Sequence, residues 1–137
     1  MDIPRAIERR VWERAKSRCE YCQLPQAFSP VPHAVDHIIS QQQHGPTVEE
    51  NLALACFFCN SYKGPNIAAL NPRTGRIVRL FHPRKDRWSR HFLWDGPYLI
   101  WRTHTGRVTI ELLQINRDEA VELREYLIQE GSFPPQR

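Results

Sequence analysis

The chain's four cysteines fall in two Cys-x-x-Cys pairs, Cys19/Cys22 and Cys56/Cys59, with Asp36-His37, Asn51 and Asn60 between and just after them. Each pair bends the backbone enough to aim two thiolates at one ion about 2.3 Å away, so together they predict one structural, tetrahedral Zn2+ per chain. Two disulfides or four free buried thiols are the alternatives. The sequence shows no apolar leader and no membrane-length run. That predicts a cytoplasmic protein without membrane association, in a reducing compartment where disulfides are rare.

The residues between the pairs carry a different chemistry. Hydrolysis of a phosphodiester needs a water deprotonated in line with the scissile bond and a cation to neutralise the leaving oxygen. Histidine is the side chain best suited to take a proton near neutral pH, which makes His37 a candidate general base. Asp36 and the amide oxygen of Asn60 are hard ligands suited to a catalytic Mg2+ or Mn2+. Lys63, three residues beyond Asn60, can reach a substrate phosphate from the same helical face, with a solvated lysine as the plainer reading. Glu20, inside the first pair, reads as a polar knuckle residue. His33 and His44 read as loop polar groups. His82, His91 and His104 read as partly buried beside Trp88, Trp94 and Trp101, whose strand spacing suits core better than base stacking.

Charge along the chain is segregated. Residues 5–18 carry six Lys/Arg against two acids, residues 19–59 none against four, residues 60–107 ten against two, and residues 108–137 three against six. An acidic centre with basic flanks suits a divalent cation held centrally while the flanks hold a polyanion, of which nucleic acid is the commonest; a solvated basic surface is the alternative. Oligomeric state is open.

These residues must be positioned by short elements, because eleven prolines and six glycines divide the 137 residues, and 41% of the chain is hydrophobic. Zinc is therefore expected to supply much of the folding free energy, since structural sites contribute about 10–16 kcal/mol of apparent binding energy. Residues 4–18 read as a basic helix, capped by Asp2, with a thin Ile7/Val11/Ala15 stripe. Prolines 25, 30 and 32 argue for a loop over residues 23–34. Strands are expected around His33–Ile39 and Asn51–Ala55, then a helical turn from Cys59 to Lys63 stopped by Gly64-Pro65. Beyond Pro72, strands are expected at Ile77–Leu80, Phe92–Trp94, Tyr98–Trp101 and Val108–Leu112. A final helix follows, capped by Asn116 with Glu119 in a capping box and ended by Gly131. The expectation is a single α+β domain over 1–137: a basic helix at 1–18, a zinc-stapled core at 19–70, and an extension of short antiparallel strands plus one helix at 71–137.

The run Cys19-x-x-Cys22, Asp36-His37-Ile38-Ile39, Asn51-Leu52, Cys56-x-x-Cys59-Asn60-x-x-Lys63-Gly64 resembles the HNH endonuclease family, in its four-cysteine subgroup. The resemblance covers about residues 15–70. It implies a ββα-metal core and a divalent-metal-dependent DNA endonuclease, with His37 as base, Asp36 and Asn60 on the catalytic ion, and Asn51 orienting the histidine. For Asn51, a turn-forming asparagine accounts equally well for the sequence. The resemblance also implies entry into the minor groove and release of 5′-phosphate and 3′-hydroxyl ends. Asn60 stands where many members have histidine, and the Ser40–Pro46 loop lacks the usual proline and paired glycines. A zinc-stapled DNA-binding module without catalysis is the competing reading, and the presence of Asp36-His37 argues against it.

Overall fold

The computed structural model describes residues 3–135, and these form a mixed α+β protein. The chain divides into two compact units. The first runs to Ile67 and takes in His82–Asp86; the second comprises Ala68–Phe81 and the chain from Arg87 on.

In the first unit, helix α1 (Arg5–Ala15) is followed by strand β1 (Ala34–His37), strand β2 (Leu52–Ala55) and helix α2 (Phe57–Lys63). The β-β-α order implied by the family resemblance is present. The α1 stripe packs as the sequence indicates: Val11, fully buried, meets Leu52 and Leu54, with Ile7, Ala15, Trp12 and Val35 against them. Each such aliphatic side chain contributes about 1.5–3 kcal/mol by leaving water. Helix α1 ends at Ala15, earlier than expected, because Lys16 and Ser17 both turn left-handed (φ 56° and 58°). Their N–H groups close onto the carbonyls of Glu13 and Trp12 and swing the chain into the first cysteine pair. The expected Asp2 cap lies outside the described residues.

β1 and β2 pair antiparallel in the register Ala34↔Ala55, Val35↔Leu54, Asp36↔Ala53 and His37↔Leu52. Since partners opposite one another share a face, Val35, Leu54, His37 and Leu52 line the side toward α1. Asp36 and Ala53 line the other.

The second unit holds strands β3 (Ala68–Leu70) and β4 (Ile77–Arg79), helix α3 (Trp88–His91), strands β5 (Phe92–Asp95) and β6 (Tyr98–Trp101), and helices α4 (His104–Leu112) and α5 (Asp118–Gln129). β3–β4 and β5–β6 are separate antiparallel hairpins. Two expectations are corrected here. Residues 108–112 are helical, because Thr103 caps α4 by accepting the Gly106 N–H at 3.0 Å. Thr109 then returns its hydroxyl to the Thr105 carbonyl at 2.7 Å, so a β-branched polar residue is satisfied inside the helix. Nor does Asn116 cap the last helix. Arg117 occupies that position, while the Asn116 amide bonds both N–H and C=O of Leu99 at 2.9 Å, extending the β6 edge.

Candidate metal centre and hydrolytic site

The four cysteine sulfurs are buried and lie within 4.8 Å of one another. Two local turns bring this about. The Cys22 N–H points at the Cys19 sulfur (3.5 Å) and the Cys59 N–H at the Cys56 sulfur (3.4 Å), so each pair folds back around its own first thiol. Cys56 is also the N-cap of α2, which places its sulfur where helix N–H groups favour a thiolate. Hydrogen bonds from Cys19, Cys22 and Cys59 hold the Cys56 thiol far below its usual range, whereas burial pushes Cys19 up. The Cys22–Cys56 sulfur separation is 3.8 Å, and a tetrahedron with metal–sulfur bonds of about 2.3 Å has edges of about 3.8 Å. Size, donor type and burial all fit a structural zinc held by Cys19, Cys22, Cys56 and Cys59. The four cysteines are unbridged in this structure.

Glu20 does more than fill the knuckle. Its backbone pairs with Leu54 (N···O 2.8 Å), one carboxylate oxygen accepts the Leu54 N–H at 2.8 Å, and the other pairs with Arg84. Arg84 is delivered by a turn in which Asp86 accepts the His82 N–H (2.9 Å) and the His82 ring accepts the Arg84 N–H (3.1 Å). The stretch His82–Asp86 thus belongs to the first unit through its hold on the first cysteine pair. Nothing short of the fold could have shown this partner for Glu20.

Asp36 sits half-buried in the middle of the β1–β2 hairpin, on the face opposite α1. Burial raises its pKa, and the Lys63 charge, the His37 N–H and the His37 imidazole pull it back down. Lys63 departs from expectation. It is 2% exposed, and its ammonium donates to the Ile38 carbonyl at 2.9 Å, so it reaches back under β1 where the phosphate contact required it to reach outward. Burial lowers its pKa while Asp36 raises it. Asn60, one turn earlier on α2, is half-buried, and among the described residues its side-chain amide has no hydrogen-bond partner.

His37, the last residue of β1, has its Nε2 at 2.9 Å from the Thr47 hydroxyl. Asn51 is buried and makes no hydrogen bond to that ring. Its amide instead accepts the Ile39 N–H and donates to the carbonyls of Ile39 and Pro46, all at 2.9 Å, pinning both ends of the Ile39–Pro46 loop. Gly45 is buried against the same place, where a Cβ would overlap the Ile39 carbonyl. Asp36 and His37 are thus consecutive on β1 with their side chains on opposite faces of the hairpin, Lys63 is turned to the Ile38 carbonyl, Asn51 closes the loop, and Thr47, which no spacing in the sequence distinguishes, meets the His37 ring. The other histidines are structural: His33 bonds the Leu24 carbonyl (2.8 Å), His91 bonds Thr103 (2.6 Å) and His104 bonds Asn71 (3.0 Å). His44 is an exposed left-handed residue that ends the 41–43 turn.

A strand pair, a helix and a four-sulfur clamp around an acid–imidazole pair define a ββα-metal module. Residues 19–66 match the family model described as HNH endonuclease, and the chain carries an HNH domain over that span. The chain is also similar to the Septu protein PtuA of Bacillus mycoides (strain KBAB4), with 28% identity over 87 residues, 56% of this chain and 12% of that protein. It thus spans about an eighth of the length of that relative. No solved structure matches the chain. Among the described residues, no helix is long and apolar enough to cross a membrane.

Proposed function

We propose that this protein is a divalent-metal-dependent DNA endonuclease in which His37 is the general base. The observation that carries the reading is the consecutive pair Asp36 and His37 at the end of β1, inside the segment that matches the HNH endonuclease family, with the imidazole held at Nε2. His37 takes a proton from water, the resulting hydroxide oxygen bonds to phosphorus, and the P–O3′ bond breaks, the departing 3′ oxygen taking a proton from solvent water, which leaves a 3′-hydroxyl and a 5′-phosphate. Asp36 and Asn60 are the residues that would hold Mg2+ or Mn2+. Such an ion, when bound, neutralises charge on the phosphate oxygens. Lys63 and Asn51 act from beneath, one on β1 and the other on the loop, while the four cysteines hold zinc for structure alone. The exposed arginines of α1, among them Arg5 and Arg9, supply sequence-independent attraction to the DNA backbone.

The test is plasmid cleavage across Mg2+, Mn2+ and other divalent ions by the wild type and by His37→Ala. The variant should lose cleavage, by about 10²-fold or more, and keep its zinc and its DNA affinity. Wild-type protein that binds DNA but fails to cut it with every ion tried would instead make the module a zinc-stapled binder. Cleavage unchanged in the variant would remove His37 from the chemistry.

A further inference from the structure

We infer that the β3–β4 hairpin of the second unit is a further DNA-holding surface, which lays one face on duplex DNA with Arg73, Arg76 and Arg79 against the phosphates and Leu70 and Ile77 in the groove between them. The inference rests on the reading that DNA is the substrate, and it adds a contact outside the segment that matches the family. In the hairpin, Ala68 pairs with Arg79, Ala69 with Val78 and Leu70 with Ile77. Directly opposed residues share a face, so Ala68, Leu70, Ile77 and Arg79 lie on one side of the ribbon and Ala69 and Val78 on the other. Ala69 and Val78 are half-buried, and the hairpin packs on α4. On the first side Ile77 is 71% exposed, the most of any large hydrophobic residue described, and its partner Leu70 is 54% exposed. An aliphatic pair held in water is uncovered apolar area, and its surroundings decide what can cover it.

Those surroundings are cationic. No Asp or Glu stands between Glu50 and Asp86, and that stretch supplies Arg73 and Arg76 in the turn and Arg79 at the end of β4. The one acid on α4, Glu111, is paired with its own Arg107 at 3.1 Å. The aliphatic pair therefore has cations beyond both of its ends, with Arg79 two residues along the strand from Ile77, a rise of about 6.6 Å. A second copy docked through the same face would set three arginines against three, whereas a polyanion takes all of them. Two lines of phosphate with a groove between them meet cations and aliphatics in that order, and the major groove, about 12 Å wide, admits a two-stranded ribbon. The turn is also fixed in advance. Asn71, fully buried, donates its amide to His104 Nδ1 and accepts the Arg73 N–H, both at 3.0 Å. Its backbone N–H bonds the Arg76 carbonyl and its carbonyl accepts the Gly75 N–H, both at 2.8 Å, with Gly75 supplying the left-handed residue (φ 74°). The backbone of both turn arginines is thus tied to the start of α4, which lowers the ordering cost of binding.

The test is salt-titrated binding of a short labelled duplex by the zinc-loaded full chain, without divalent ions so that no cutting intervenes. Replacing both turn arginines, Arg73→Gln with Arg76→Gln, should weaken binding about ten- to a hundred-fold near 0.1 M salt and lower the salt slope by about two. Zinc content and thermal melting should stay as in wild type, because both side chains are exposed. Ile77→Thr keeps the branched shape a strand favours and should weaken binding roughly three- to ten-fold at an unaltered slope. If both variants bind as wild type does, the inference is overturned and the nuclease reading, which plasmid cleavage measures, is untouched. Wild type that binds duplex but fails to cut it with every ion tried defeats the nuclease reading, and the salt slopes then still decide the role of the hairpin. A dimer in sedimentation that Ile77→Thr dissociates, at unchanged DNA affinity, assigns the face to a second copy and overturns the inference.

Discussion

At the scale of single residues, the division of labour follows from what each group can reach. Lys63 shows it best. A lysine three residues after a candidate ligand reads as a phosphate contact, yet its long stem lets the ammonium run inward to a backbone carbonyl, and no spacing rule separates the two directions. Lys63→Met should destabilise the protein by about 1–2 kcal/mol, because the Ile38 carbonyl loses a charged donor while the apolar stem is preserved. DNA affinity and its dependence on salt should stay as in wild type, since a phosphate contact would lower the salt slope by about one. Urea unfolding and salt-titrated DNA binding measure the two effects, and a reduced slope would return Lys63 to the phosphate. The four-cysteine cluster was legible because its chemistry is carried by residue type at short spacing. Thr47 was not, because threonine in a polar loop carries no such signature until the chain brings its hydroxyl to the ring.

At the scale of elements, local pattern was reliable where a cap or a metal pair marked the end and misleading where tertiary contacts chose. The α1 stripe, the β1–β2 hairpin and the short α2 were readable from apolar periodicity and from the cysteines that bracket them. Residues 108–112 alternate like a strand, but Thr103 and the buried Thr105/Thr109 pair make a helix there, and Gly106, which reads as a turn, sits where a Cβ would overlap the His91 carbonyl. The Ile39–Pro46 loop is a similar case. It lacks the paired glycines of the family pattern, yet the single Gly45 meets the need for close approach. Gly45→Ala should force that loop off Asn51, costing roughly 1–3 kcal/mol in stability and most of the cleavage activity, with zinc content unchanged. Zinc assay, thermal melting and plasmid cleavage together check it. A variant that cuts normally would show that the closed loop is dispensable.

At the scale of the molecule, the two units are held by different means. The first has a small aliphatic core of Val11, Leu52 and Leu54, and its loops converge on the cysteine cluster. The second carries an aromatic core, with Trp88 and Phe92 ring centres 5.2 Å apart, Trp94 and Phe133 5.0 Å apart, and the buried Arg124 guanidinium 5.1 Å above Trp94. This core contains no metal ligands from the cysteine set. Structural zinc contributes about 10–16 kcal/mol of apparent binding energy, more than the net stability of a domain of ordinary size, about 5–15 kcal/mol. Stripping zinc with a strong chelator should therefore remove hydrogen-exchange protection from α1, β1, β2 and α2 while leaving α4, α5 and the β5–β6 hairpin protected. The stretch His82–Asp86 is the discriminating probe. It lies beyond β4 in the sequence, yet Arg84 is anchored on Glu20 between Cys19 and Cys22, so its amides should lose protection with the cysteine module. If residues 82–86 stay protected after chelation while β1 and β2 exchange freely, the Glu20–Arg84 pair does not hold that segment. If nothing exchanges faster, the first unit's core is self-sufficient and the zinc only trims a fold already made.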